Sequence, residues 1–425
     1  MSDAAAYGLV DHLFRERSGQ MVAWLTRIFG PAHLDLVEEV VQDALLKALQ
    51  QWPYHGVPRN PGAWLFQVAR NGALDALRRR ASFAERTADI AAELDRAGTP
   101  AVGDTSAGDL LRDDELRMVF LCCHPGIPRD ARVALSLKTV GGFSVAEIAR
   151  AFLVPDATIA QRLVRAKRQL RSDSVTFDLP SGPELAARVE SALEVIYLLF
   201  NEGYAARSGD DLVRVDLCTE ALRLARLVAG SAEGSTPAAH ALVALIAFQA
   251  ARLPARVDAA GEVILLEHQD RSSWDTRLVA LGFAHLERSA EGVELTSYHL
   301  QAAIAATHAG APSFEATPWP TILDLYDQSM ALTPSPLVAL NRAVAVWKVR
   351  GAEAALADLA TLETEPSLAR YYLLPAVRGR LLAERGDHAA AARAFEEALD
   401  RPCSEPERRL LQRRLAGRHD LQRQD

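Results

Sequence analysis

Cysteine is scarce in this chain: four residues, at 122, 123, 218 and 403, with no CxxC pair and no even framework. That excludes a disulfide-stapled secreted fold and predicts reduced thiols in the cytoplasm. Runs of β-branched residues are few, whereas Ala, Leu and Arg crowd the sequence, which predicts helices throughout. No apolar stretch reads as approaching the roughly 18 uncharged residues that span a bilayer, so no membrane partner is expected. Residues 1–14 lack the basic start and long apolar stretch of a secretion signal. HExxH, a nucleophile elbow and a Gly-rich phosphate loop are all missing, and the eleven histidines are scattered. The expectation is therefore neither an enzyme nor a cofactor or metal protein.

A positive net charge is missing too, since 47 Lys and Arg stand against 55 Asp and Glu, a balance of −8. Contact with nucleic acid demands Lys and Arg for the phosphates. The charge, however, is segregated. Residues 64–80 hold four Arg against one Asp, net +3, and residues 156–171 hold four Arg and one Lys against one Asp, net +4. Two basic helices in an acidic chain suit a protein that touches DNA only when a partner presents it. A length of 425 residues, 49% hydrophobic and 24% charged, fits a soluble protein of two to four domains.

Four segments follow. Residues 7–80 read as a compact helical unit closing on Arg78-Arg79-Arg80. Residues 81–112, with Gly98, Pro100, Gly103 and Gly108 among acids from Asp89 to Asp109, read as an acidic flexible linker whose first part has helical character. Residues 113–171 form a second small helical unit. After a break at 177–183, residues 184–425 are helical and rich in Ala and Leu, with small and large residues near tetratricopeptide spacing around 378–399. Gly351 and Gly386 lie 35 positions apart, close to the 34-residue period of such repeats.

In the first basic helix, Leu65, Val68, Ala69, Gly72, Ala73 and Ala76 fall at buried-face spacing. Gln67, Arg70, Asn71, Asp75 and Arg78 fall on or near the other face, where they can reach bases and phosphates or simply meet solvent. Ahead of it, residues 52–61 read as a Pro-rich loop with the aromatics Trp52 and Tyr54, suited either to stacking on unpaired bases or to connecting helices. Further upstream, Val37, Val40, Val41, Ala44, Leu45 and Ala48 make an apolar stripe. Asp35, Glu38, Glu39, Gln42 and Asp43 make an acidic outer face, suited to a basic protein surface or to water.

The second basic helix has a clearer context. Ser144 and Glu147 form a capping box opening one helix, and Leu153-Val154-Pro155-Asp156 breaks it. The next helix carries Ile159 to pack back and a small Ala149 opposite for close crossing, the pattern of a helix-turn-helix. Ala160, Gln161, Arg162 and Arg165 then face outward, with Lys167, Arg168 and Arg171 for phosphates. Leu153 stands where generic versions of this turn have Gly.

With both helices in view, the chain resembles the extracytoplasmic-function branch of the sigma-70 family. Residues 35–49 and 64–80 resemble its region 2, and 129–171 its region 4. The resemblance implies that Asp35, Glu38, Glu39, Gln42 and Asp43 grip core RNA polymerase. It implies that Arg59, Asn60, Trp64, Gln67, Arg70, Asn71, Arg78, Arg79 and Arg80 serve the −10 element of promoter DNA. Thr158, Ala160, Gln161, Arg162, Arg165, Lys167, Arg168 and Arg171 then serve the −35 element. The remainder is similar to a subgroup with a large tetratricopeptide-like extension. Leu121–Pro125, Ala149–Pro155, Phe200–Tyr204, Asp270–Asp275 and Leu340–Ala345 carry that likeness. The extension is expected to regulate or assemble through an unknown protein or ligand.

Other constellations are weighed against this. Cys122-Cys123-His124 suggests a metal site, but adjacent helical cysteines point about 100° apart, so buried packing is expected. Residues 201–204 and 268–271 put polar groups among apolar ones, either to line a pocket or to cap and bridge helices. The rival functions are a free-standing helix-turn-helix regulator and a repeat scaffold; the acidic face at 35–49 speaks against the former.

Overall fold

The computed structural model describes residues 17–79, 90, 92–94, 105–152, 154–172, 175–204, 213–258 and 260–417. Among the described residues the regular elements are helices, and the only strand-like pairing is an isolated bridge between Val257 and Val263. The all-α expectation holds. The chain divides into two compact units, Met1–Leu198 and Leu199–Asp425.

The first unit contains helical residues 17–29 (α1), Leu34–His55 (α2), Pro61–Arg79 (α3), Thr105–Cys122 (α4), Arg129–Thr139 (α5), Val145–Phe152 (α6), Asp156–Ser172 (α7) and the start of Pro183–Tyr204 (α8). In α2 the expected stripe is buried, and Leu34, Leu36 and Trp52 extend it. The helix continues through Pro53 to His55, so the expected loop at 52–61 shrinks to the residues between α2 and α3. Trp52 explains why: it is buried, its ring 5.5 Å from that of Trp64, and this packing offsets the hydrogen bond that Pro53 removes. Only Tyr54 of the two loop aromatics is exposed. Gly56, at φ 81°, ends the helix with its N–H on the Trp52 carbonyl.

The expected linker is also shorter than 81–112. Helix α4 begins at Thr105, passes through Gly108 and buries Leu111, Leu116, Met118, Val119 and Phe120. Burial of that apolar face outweighs the glycine's cost to a helix. Ile90 and Leu94 are buried as well, in a segment with helical residues. Helix α8 is tied to this unit by arginines: Arg188 donates to the Phe120 carbonyl at 2.9 Å, and Arg132 to Ser191 Oγ at 2.6 Å.

In the second unit Pro237–Ala251 (α10) is the central helix, packed by Val215–Ala229 (α9), Thr276–Ser289 (α11) and Ser297–Gly310 (α12). It is apolar all round, as a helix buried on every side must be. This corrects the expectation of no span-length stretch: Pro237–Ala255 is long and apolar enough to cross a membrane, but most of it is buried in the unit. Trp319–Leu332 (α13) follows. Then come two helical hairpins, Pro336–Arg350 (α14) with Ala352–Ala360 (α15), and Leu373–Glu384 (α16) with His388–Leu399 (α17). Gly351 and Gly386 turn them, at φ 88° and 87°, a conformation open to glycine. The sequence periodicity thus marks two equivalent turns. Glu405–Leu415 (α18) closes the unit.

Within the second hairpin, a Cβ at Gly379 would lie 2.8 Å from the buried Phe395 ring. Gly379→Ala is therefore expected to destabilise the protein by about 1–3 kcal/mol through overpacking. Urea unfolding followed by circular dichroism checks it, and an unchanged midpoint would refute the close contact.

Candidate nucleic-acid interface

The basic helix α7 is presented by the helix pair the sequence predicts. Ser144 N–H donates to Glu147 Oε2 at 2.8 Å, and Glu147 N–H donates to Ser144 Oγ at 3.1 Å, so the capping box is formed. Ile159, Leu163, Ala166 and Leu170 make the buried stripe of α7, and Ala149 of α6 is buried opposite. Ala160, Gln161, Arg165, Arg168 and Arg171 are exposed, while Thr158 is half-buried. Leu153, in the turn, lies outside the described residues. Arg162 departs from expectation: its Nε lies 2.9 Å from Asp130 of α5, which holds the side chain against its own unit.

Helix α3 starts from Asn60, whose Oδ1 accepts the Ala63 N–H at 3.0 Å. Asn60 and Arg59 are exposed, and Trp64 is half-buried against Trp52. Gln67 donates to Asn71 at 3.0 Å on the exposed face, and Arg78 pairs with Asp75 at 3.2 Å. Arg70 is the departure here, since it donates to the Leu94 carbonyl at 3.3 Å and so serves packing. The Arg79 side chain and Arg80 lie outside the described residues.

On α2, Glu39, Gln42 and Asp43 are exposed as expected, but Asp35 and Glu38 are engaged within the chain. Lys167 of α7 donates to Asp35 Oδ1 and to Glu38 Oε2, each at 2.8 Å, and Arg171 donates to Asp35 Oδ2 at 2.8 Å. The acidic face of one motif thus meets the basic end of the other. These side chains were expected to face separate partners; electrostatic complementarity across a folded contact, which periodicity does not reveal, brings them together. Lys167 and Glu38 are each only 12% exposed, so their pair is shielded from water, whereas Arg171 and Asp35 are half exposed. Removing one member of a shielded pair leaves an uncompensated charge costing about 3–5 kcal/mol, against about 0–1 kcal/mol for an exposed pair. The Lys167–Glu38 pair therefore dominates.

Two further contacts join the same regions, and neither has a signal in the linear pattern. Gly19 of α1 approaches so closely that a Cβ there would lie 2.1 Å from the Val140 carbonyl oxygen. Arg27 of α1 bonds the buried Asp114 of α4 at 3.0 Å. Burial pushes the Asp114 carboxyl up, against the pull of Arg27. For Asp35 burial also acts upward, but the hydrogen bonds and charges of Lys167 and Arg171 outweigh it and hold its pKa below 3.8. For Lys167 burial acts downward, and the Glu38 charge with the Asp35 and Glu38 hydrogen bonds carries its pKa above 10.5.

Cys122 and Cys123 are buried, as expected for packing residues. Cys122 Sγ lies 3.1 Å from Thr139 Oγ1, and burial pushes the Cys123 thiol up to about 12, leaving both unreactive. In the second unit the polar runs act as braces. Asp270 Oδ1 accepts the Ser272 N–H at 2.9 Å, Gln269 donates to the Ile264 carbonyl at 3.0 Å, and Arg256 lies 3.9 Å from the Tyr204 ring centre. A cavity of about 260 Å³ nearby is lined by Glu267, His308, Trp319, Tyr326, Trp347 and Lys348, among others. Arg380 is bonded to Glu267 there, and the Lys348 ammonium lies 3.7 Å from the Trp347 ring centre.

Comparison with known proteins places these motifs. Residues 13–83 match the family model Sigma-70 region 2, and residues 117–170 match Sigma-70, region 4. Residues 188–290 match DUF6596, a family of unknown function. An uncharacterized protein of Rhizobium meliloti is 39% identical over 393 residues, 92% of each chain. The ECF RNA polymerase sigma factor SigL of Mycobacterium tuberculosis is 30% identical over 169 residues, 40% of this chain and 90% of SigL. The ECF RNA polymerase sigma-E factor of Escherichia coli is 29% identical over 137 residues, 32% of this chain and 71% of that factor. No solved structure matches the chain.

The paired charges give a pH signature. Because the folded pKa of Asp35 is depressed, its contribution is present above 3.8 and is lost as pH falls through the lower folded value. Lys167, with its folded pKa raised, contributes fully below 10.5 and loses this as pH rises through the raised value. Asp35→Asn should therefore lower the Tm between those limits, and the difference from wild type should vanish in stronger acid. Thermal melts across pH test this, and a Tm difference that persists in strong acid would contradict the assignment.

Proposed function

The chain belongs to the extracytoplasmic-function (ECF) family of RNA polymerase sigma factors, and from this premise we propose how its residues divide the work of promoter-specific initiation. The exposed acidic face of α2, with Glu39, Gln42 and Asp43 joined by Asp35 and Glu38, binds a basic surface of core RNA polymerase. Helix α3, entered past Arg59 and Asn60 and presenting Gln67, Asn71 and Arg78, handles the −10 element. Helix α7 reads the −35 element in the major groove through Gln161 and Arg165, with Arg168, Arg171 and Lys167 on phosphates. The factor works in the cytoplasm beside polymerase and promoter DNA and catalyses no reaction itself. A free-standing regulator is not favoured, because it has no use for region 2.

The observation that carries this reading is the combination of two matched motifs in order, each with an exposed face of suitable chemistry. In the second, the base-facing Gln161 and Arg165 stand clear of the stripe that buries the helix. The second unit is proposed as a tetratricopeptide-like brace or assembly platform for a further protein or ligand. Support comes from the hairpins turned at Gly351 and Gly386 and from Arg188 at the start of the extension, which satisfies the Phe120 carbonyl. Chain order and spacing support the domain assignment of 7–80, 113–171 and 184–425, with the linker between the first two ending where α4 begins.

In vitro transcription from genomic fragments, with core polymerase and this protein, tests the function. Promoter DNA should be shifted strongly only when core polymerase is present. Arg165→Ala should lower promoter use by about 1–3 kcal/mol if the guanidinium makes a bidentate base contact. Unchanged transcription by that variant would remove Arg165 from the reading face, and a full shift without polymerase would favour a free-standing regulator.

A further inference from the structure

The cavity of the second unit lies where distant stretches of chain meet: residues 265–267, the end of α12 with the loop beyond it, the facing sides of α13 and α14, and Arg380 of α16. Phe314, Trp319, Tyr326 and Trp347 give it aromatic walls. Its volume of about 260 Å³ equals that of roughly nine waters at liquid density, which is room for a small ring with a short chain. Lys348 supplies the charge. Its ammonium lies 3.7 Å from the Trp347 ring centre and 5.1 Å from that of Phe314, and among the described residues no carboxylate pairs with it. The other two charges of the lining cancel, because Arg380 is bonded to Glu267. Charges just outside also balance in number: Arg252 and Arg271 act on His308, and Glu315 and Glu384 on Lys348. The cavity is left with a single positive charge in excess.

We propose that this cavity binds a small aromatic monocarboxylate, its carboxylate on Lys348 and its ring among the aromatic walls. The inference rests on the reading of the second unit as a platform for a further protein or ligand, and it names that ligand's chemistry.

The alternatives fit less well. A cation would meet repulsion, since the aromatic walls already hold the Lys348 ammonium and the Arg380 guanidinium, whose carbon lies 4.4 Å from the Trp347 ring centre. A dianion such as a phosphate monoester exceeds the one uncompensated charge, because Arg380 is committed to Glu267. An uncharged ligand leaves Lys348 as it is: burial and the Arg380 charge hold its ammonium below the usual 10.5, and a nearby anion offsets both. His308 supplies a second anchor. Its Nδ1 is buried and has no hydrogen-bond partner among the described residues, a condition that a bound polar group relieves. Burial, with the Arg252 and Arg271 charges, pushes the ring down to about 4, so it is neutral in ordinary buffer. A neutral imidazole with its proton on Nδ1 donates to a carboxylate oxygen. Arg271 braces this wall by donating to the His308 and Ala311 carbonyls, which gives the polar run at 268–271 a use. Asn341 is exposed and also lines the cavity, which puts an amide at its mouth.

Isothermal titration calorimetry of the full chain at neutral pH, with phenylacetate and cinnamate as probes, tests the proposal. Both acids should bind one to one. Their amides, phenylacetamide and cinnamamide, should bind about ten- to a hundredfold more weakly, the range of a hydrogen bond to a charged group. Phenyl phosphate should bind no tighter than phenylacetate. Lys348→Met should weaken the acids by the same factor and leave the amides unaffected. Should that variant fail to fold by circular dichroism, the wild type decides: saturating acid should slow acylation of Lys348 by acetic anhydride, read by mass spectrometry, and spare none of the exposed Lys47 of α2. The site is overturned if neither acid binds, if the amides or phenyl phosphate bind as well as or better than the acids, if folded Lys348→Met binds the acids normally, or if acid leaves Lys348 acylation unchanged. Calorimetry involves neither polymerase nor DNA. Bound acid that leaves in vitro transcription unchanged would therefore support the site and count against the platform reading.

Discussion

A single ammonium, that of Lys167, sits between the carboxylates of Asp35 and Glu38, and much of the first unit is arranged to hold it there. The stripe of α7 fixes which way Lys167 points: Ile159, Leu163, Ala166 and Leu170 face inward, and Lys167, one position beyond Ala166, is carried to the edge of that face. The stripe of α2 does the same for Glu38, next to the buried Val37. Once both helices bury their apolar sides in one unit, charges of opposite sign at their edges have a short path to each other. Partial burial then raises the stakes, because an unpaired charge there costs several kcal/mol more than one in water.

Local features were the most legible in the sequence. The capping box at Ser144 and Glu147, the α2 stripe and the equivalent turns at Gly351 and Gly386 are all decided by neighbours within a few positions, or by a simple period. Errors arose where distant packing overrode local chemistry. Pro53 reads as a loop residue, yet the burial of Trp52 against Trp64 carries the helix past it. Gly108 reads as linker, yet the apolar face from Leu111 onward holds α4 together. Arg70 and Arg162 read as outward-facing, yet a backbone carbonyl at Leu94 and a carboxylate at Asp130 claim them. No pattern in the linear chain announces a partner in another motif, and the pairing of α2 with α7 is the largest case.

The start of the extension bears on the same unit. Arg188 is buried and donates to the Phe120 carbonyl, while Arg129 and Arg132 of α5 reach Glu194 and Ser191 of α8. The DUF6596 match begins at residue 188, so the segment that brings the extension also completes the packing around α4 and α5. Helix α5, to which the start of α8 is tied, packs in turn on α7.

The charged edges of α2 and α7 are partners in the free protein. A carbodiimide joins an amine to a carboxylate with no spacer, so it reports contacts of the length seen here. Mass spectrometry of the treated free protein should find Lys167 joined to Asp35 or Glu38. Absence of that cross-link from the free protein would contradict the pairing.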